Sequence, residues 1–178
     1  MQYWGPNPKV TQAFSPGCPQ NCELPPKTCP DTVSEDCLYL NVFTPREDYL
    51  QSNGPQPVMV WFHGGRYEQG SASDILYDGS FMANASGVII VTANYRIGVL
   101  GFLVTGSLQG NYGWQDQRSV LLWVQNNIAN FGGDPNSVTV FGQSVGGIST
   151  ALHLTSPSSV GLLHKAIIQS DPFTLPVK

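Results

Sequence analysis

The sequence predicts an α/β domain, a mostly parallel central sheet with flanking helices and a disulfide-rich N-terminal loop. Three observations carry this expectation. Val58–His63 and Val88–Ala93 are near-continuous apolar runs, the pattern of strands buried on both faces of a helix-covered sheet. Gln115–Phe131 carries apolar residues at helical spacing. From Leu38 onward, strand-like and helix-like segments alternate, which implies parallel neighbours joined by right-handed crossovers.

Taken in order, residues 1–37 form a Pro- and Cys-rich segment without periodicity. Leu38–Thr44 alternates at period two and reads as a strand stopped by Pro45. Val58–His63 and Val88–Ala93 follow as central strands. In the long helix, Val120, Leu121, Val124, Ile128 and Phe131 make the apolar stripe, Leu122 and Trp123 widen it, and Gly132–Pro135 ends it. Ser137–Phe141 is a short strand, Gly142–Gly146 a turn, Gly147–Leu154 a helix, and Lys165–Gln169 a further buried strand. No internal repeat or low-complexity tract interrupts the pattern.

Composition narrows the function classes. Eight Lys+Arg against 12 Asp+Glu give a net charge of −4, which argues against a nucleic-acid partner. Charged residues make up only 11% of the 178, well under the roughly 25% of an average soluble domain, as suits a buried sheet. The longest apolar runs, Pro57–Phe62 and Gly87–Val91, are of strand length, so no membrane span is expected. Met1 is followed by neither a basic nor an apolar leader segment; either there is no signal peptide or the natural start lies upstream. The acidic residues form no cluster suited to calcium, and neither metal nor organic cofactor is expected.

Cys18, Cys22, Cys29 and Cys37 all lie within 20 residues. Four cysteines allow three disulfide pairings. The competing reading is zinc, but there is no Cys-x-x-Cys pair and no nearby His. Disulfides place the protein in an oxidising compartment, secreted or in the secretory lumen. Asn84-Ala85-Ser86 is a glycosylation sequon consistent with that location.

Two motifs carry chemistry. Gly142-Gln143-Ser144-Val145-Gly146 matches Gly-x-Ser-x-Gly between a β-branched strand and a helix. In such an elbow the serine sits on a strained turn, its flanking glycines avoid clashes, and the following helix aims its N-terminal dipole at a developing oxyanion. The bland reading is a glycine-rich turn with an incidental serine. His63-Gly64-Gly65, directly after an earlier strand, has the placement of a loop that offers oxyanion N–H groups.

Longer blocks make the pattern specific. Ser34–Val42, Pro57–Gly65, Asn94–Phe102, Gly110–Gly113 with Asp116 and Gln117, Trp123–Ile128, Phe131–Asp134 and Gly142–Gly147 together resemble the type-B carboxylesterase/lipase family. That family, which includes cholinesterases and cholinesterase-like proteins, has the α/β-hydrolase fold. The resemblance implies that Ser144 is the acyl nucleophile, that Gly65, Arg66 and Val145 offer backbone N–H groups to the oxyanion, and that the substrate is a small carboxylic ester. It also implies that Cys37 closes a loop over residues 18–37 with Cys18, leaving Cys22 to pair with Cys29. Four departures stand out: Gln143 where the family usually has Glu, Val145 for Ala, Arg66 for a small residue, and no Trp between Cys18 and Cys37. Arg66 is expected to burden the oxyanion loop by backbone strain and by bulk.

In this fold the acid and the base follow the nucleophile in the chain. His153 lies nine positions along the predicted helix from Ser144, about 13 Å by helical rise, and is out of reach. His164 precedes a strand at the wrong end for the site, and Asp171 reads as a loop residue. Residues 1–178 are therefore expected to be part of one larger domain, truncated at both ends, with the acid and His in a later part of the same protein. Alone, they are expected to have negligible turnover. The alternatives are a non-catalytic adhesion or binding relative, or a fragment without function; Gln143, Arg66 and Val145 favour the binding relative, and the retained serine speaks against it.

Overall fold

In chain order the elements are β1 (Leu40–Phe43), α1 (Glu47–Asn53), β2 (Gln56–Phe62), α2 (Ser80–Ser86), β3 (Ile89–Ala93), α3 (Gly98–Phe102), α4 (Tyr112–Asn127), β4 (Gly133–Gln143), α5 (Val145–Thr155) and β5 (Lys165–Gln169). They come from a computed structural model that describes residues 13–25 and 28–170. The strands form one sheet in the order β1-β3-β2-β4-β5. β2 pairs in parallel with β3 and β4, and β4 pairs in parallel with β5. Among the described residues, only β1, against β3, is antiparallel.

The two apolar runs occupy the middle of the sheet, as their composition demands. Every residue of β3 is buried, and Val58, Val60 and Phe62 of β2 have no measurable exposure. These side chains join Val138 and Val140 of β4 and the apolar stripe of α4 in one core. Burying one such side chain fully is worth about 1.5–3 kcal/mol. The α4 stripe includes Val120, Leu121 and Val124. The chain then tightens into a 3-10 turn over Ile128–Phe131, and Gly132 closes it at φ 80° with its N–H on Ala129 and Ile128 carbonyls. The expected stop is therefore in place, and β4 begins at once rather than at Ser137.

One expectation is corrected. Lys165–Gln169 is a strand, but not a buried one: Ile167 and Ile168 are 43% and 40% exposed. Among the described residues it stands last in the strand order, with its ladder partner on the β4 side. Helices α1, α2 and α3, of seven, seven and five residues, escape sequence reading because none is long enough to show a 3.6-residue period.

Cys18 bonds to Cys37 and Cys22 to Cys29, the nested pairing implied by the family resemblance, and this removes the zinc reading. Cys18 and Cys37 are buried in the core. Asn94 welds the disulfide loop to the sheet: its Nδ2 donates to the carbonyls of Pro16 and Cys37 at 3.0 and 2.9 Å. Its Oδ1 accepts from the Ala72 N–H at 2.7 Å. Among the described residues, no helix is long and apolar enough to cross a membrane.

Candidate active site

Parallel pairing brings the C-terminal ends of β2 and β4 side by side, with Phe62 opposite Gly142. Each strand continues into one of the two motifs. β2 runs into His63-Gly64-Gly65, and β4 runs through Gly142-Gln143 into Ser144, which caps α5. Residues eighty positions apart thus meet at the C-terminal end of two neighbouring interior strands.

Ser144 has φ 56° and ψ −125°, a conformation that non-glycine residues rarely adopt and that costs on the order of 1–3 kcal/mol. The surroundings hold it there. Its N–H donates to Gln169 O in β5 at 2.9 Å, and its carbonyl accepts from Ile148 N–H in α5 at 3.0 Å. The flanking glycines are required by close approach: a Cβ on Gly142 would lie 2.4 Å from the Gly146 carbonyl, and one on Gly146 would lie 2.1 Å from Phe62 O. The first helical turn of α5 therefore sits directly on the end of β2, with its positive dipole end at the serine.

The second loop closes against the first. A Cβ on Gly64 would lie 2.8 Å from Gln143 O, 3.0 Å from Gln143 Oε1 and 3.4 Å from Ser144 Cβ. Gly65 and Arg66 follow with φ 106° and 62°. Among the described residues, the N–H groups of Gly65, Arg66 and Val145 donate to no protein acceptor. The Arg66 backbone carries the expected strain, but its bulk does not fill the loop: the side chain is 77% exposed and turned to Glu68 at 3.5 Å. Tyr67 also has φ 62°. Its hydroxyl reaches α5, at 3.0 Å from both Val145 O and Ser149 Oγ.

Behind the loop, His63 is fully buried, stacked on Tyr95 at 4.3 Å, with Nδ1 2.8 Å from Gly64 O. Burial lowers its pKa to about 4, against a smaller opposing effect of the Gly64 carbonyl. Gln20, from the disulfide loop, holds both polar groups of Gly70: its Nε2 donates to Gly70 O at 2.9 Å and its Oε1 accepts from Gly70 N–H at 2.8 Å. Neither Gln20 nor Tyr67 is signalled by spacing, because their partners lie 50 and about 80 residues away.

The remaining candidates lie elsewhere. His153 is in the last turn of α5, stacked on Trp114 at 4.7 Å with Nδ1 2.9 Å from Ser159 Oγ, a packing residue. Burial, and secondarily Arg118, lower its pKa to about 4. His164 Nδ1 accepts from Val138 N–H at 3.2 Å. Asn84 is exposed on α2. Asp171 lies outside the described residues.

Comparison with known proteins agrees with this architecture. The chain is 51% identical over 162 residues to the crystal protein of Dictyostelium discoideum, covering 90% of this chain and 29% of that protein. It is 51% identical over 148 residues to the cocaine esterase of Homo sapiens, covering 82% and 26%. The solved structure of a thermophilic PNB esterase superposes with a TM-score of 0.81 at 44% identity, over 89% of this chain and 34% of that one. The chain thus spans between 26% and 34% of the length of these proteins. The sheet, its flanking helices and the disulfide loop are a partial α/β-hydrolase fold. Residues 3–178 match the model of the carboxylesterase family, and with identities near one half over most of its length the chain belongs to that family.

Proposed function

We propose that this chain carries the nucleophile and the oxyanion loop of a carboxylic ester hydrolase that works through a serine acyl-enzyme. The observation that carries the reading is Ser144, held at φ 56° between β4 and α5 with Gly64 packed against it. Ser144 Oγ attacks the ester carbonyl carbon while its proton passes to a histidine. The carbonyl oxygen gathers negative charge and is met by the N–H groups of Gly65, Arg66 and Val145. Collapse expels the alcohol, which takes up that proton, and water then releases the acid by the same steps. The histidine and its acid belong to chain beyond residue 178, so residues 1–178 are part of one catalytic domain and have negligible turnover by themselves. The substrate is a small carboxylic ester. Two nested disulfides support a secreted or secretory-lumen protein, with Asn84 as its exposed glycosylation site.

A second reading, a non-catalytic binding relative, draws on Arg66, a large residue in the left-handed region at a loop position where glycine has no such cost. Labelling the natural full-length protein with a fluorophosphonate and mapping the site by mass spectrometry separates the two. Label on Ser144, lost in Ser144→Ala with folding intact, is the expected result. Peptides spanning Ser144 found only unlabelled would favour the binding reading.

A further inference from the structure

The three oxyanion donors proposed above come from two chain segments: Gly65 and Arg66 from the loop after β2, Val145 from the first turn of α5. Something must set the distance between them. Tyr67 is the next residue after Arg66, and its hydroxyl crosses to α5, 3.0 Å from Val145 O and 3.0 Å from Ser149 Oγ.

Counting protons settles the direction of these bonds. A carbonyl only accepts, so the single Tyr67 hydroxyl proton goes to Val145 O, and Ser149 donates its own proton to Tyr67 Oη. Ser149 Oγ in turn accepts from Gln117 Nε2 at 3.1 Å. The chain Gln117 to Ser149 to Tyr67 to Val145 therefore runs in one sense and polarises along its length. Gln117 and Ser149 have no measurable exposure. Burial pushes the Tyr67 phenol up, so it remains a donor at neutral pH. The Tyr67 ring packs on Phe102 at 4.8 Å, and its carbonyl accepts from Gly98 N–H at 2.6 Å. With φ 62°, the Tyr67 backbone is held in the left-handed region while these contacts surround it.

We propose that Tyr67 is a positioning residue for hydrolysis at Ser144: its hydroxyl braces the Gly65–Arg66 loop against Val145 and so sets the spacing of the oxyanion donors. This rests on the serine acyl-enzyme reading above. Tyr67→Phe removes the brace and keeps the ring.

The test uses the full-length protein, titrated with a fluorophosphonate so that turnover of a short p-nitrophenyl ester is expressed per reactive Ser144. Tyr67→Phe is expected to lower kcat per titrated site about 10- to 100-fold with KM unchanged, since a donor misplaced by a fraction of an ångström loses much of its effect. A merely structural role would reduce the titrated fraction and the unfolding midpoint but not turnover per site. Phosphonylation reports only folded molecules, so a slower phosphonylation rate carries the test even where much of the variant misfolds. Wild-type kcat and phosphonylation rate in Tyr67→Phe would overturn the brace and leave the serine reading standing. A wild-type protein that takes no label at Ser144 would overturn both.

Discussion

Gly146→Ala probes the contact on which the elbow is built. In isolation the change is favourable, because alanine is about 0.5–1 kcal/mol better than glycine inside a helix. Here the new Cβ would lie 2.1 Å from Phe62 O, 2.9 Å from His63 O and 3.0 Å from Phe62 C, all backbone atoms at the end of a central strand. Real Cβ atoms essentially never come within 3.0 Å of such an atom, so α5 and β2 must separate by about 0.9 Å. Neither yields easily, since β2 is paired on both sides and α5 packs against β4, β5 and β2. Overpacking usually costs about 1–3 kcal/mol, and a clash between two backbones falls at the upper end, so a net loss of about 3 kcal/mol is expected. The same displacement moves His63-Gly64-Gly65 away from Ser144, and a misplacement near 1 Å costs about 100-fold in rate. Urea unfolding and ester turnover of the full-length protein measure both losses. Gly161→Ala is the control: its Cβ meets nothing, but φ is 80°, so only the left-handed penalty of about 1–2 kcal/mol applies. Gly146→Ala as stable as wild type, or less damaging than Gly161→Ala, would refute the close-approach argument.

Stability should also depend on pH through two buried histidines. His63 and His153 have pKa values lowered to about 4, chiefly by burial, so between about 6.5 and that value the unfolded chain binds more protons than the folded one. Their contribution is therefore full above pH of about 6.5 and lost as pH falls toward 4, by up to about 1.4 kcal/mol per pH unit for each histidine. Urea midpoints measured across that range should show this slope, and His153→Gln should remove about half of it; an unchanged slope would contradict the assignment. Replacing Cys18 and Cys37 by Ser should cost about 3 kcal/mol, and replacing Cys22 and Cys29 about 2 kcal/mol, since the loops span 19 and 7 residues. A larger loss from the smaller loop would oppose that ordering. Asp116→Asn loosens a two-pronged pair with Arg96, whose Nε and terminal nitrogen lie 2.7 and 2.8 Å from the carboxylate. With Asp116 nearly buried and Arg96 partly exposed, a loss of about 2 kcal/mol in chemical denaturation is expected, and an unchanged midpoint would count against it.

Much of this molecule is legible in one dimension. The near-continuous apolar runs of β2 and β3 announced a sheet covered on both faces, and both strands lie inside it. The 3.6-residue period of α4 and its glycine stop are local properties, and so is the demand that small residues flank a serine in a strand-to-helix turn. Cysteine pairing was not legible from spacing, which left three arrangements open; only the resemblance of the Ser34–Cys37 block selected the one observed.

What the sequence alone determined is the set of elements whose cause is periodic or local: the central strands, the long helix, the elbow with Ser144, and the glycine loop after β2. What only the tertiary structure decided is which distant groups meet. Gln20 reaches Gly70 across 50 residues and Tyr67 reaches Val145 across 78. A hydrogen bond needs two groups within about 3 Å, and separation along the chain carries no information about that distance once strands from different parts of it lie side by side.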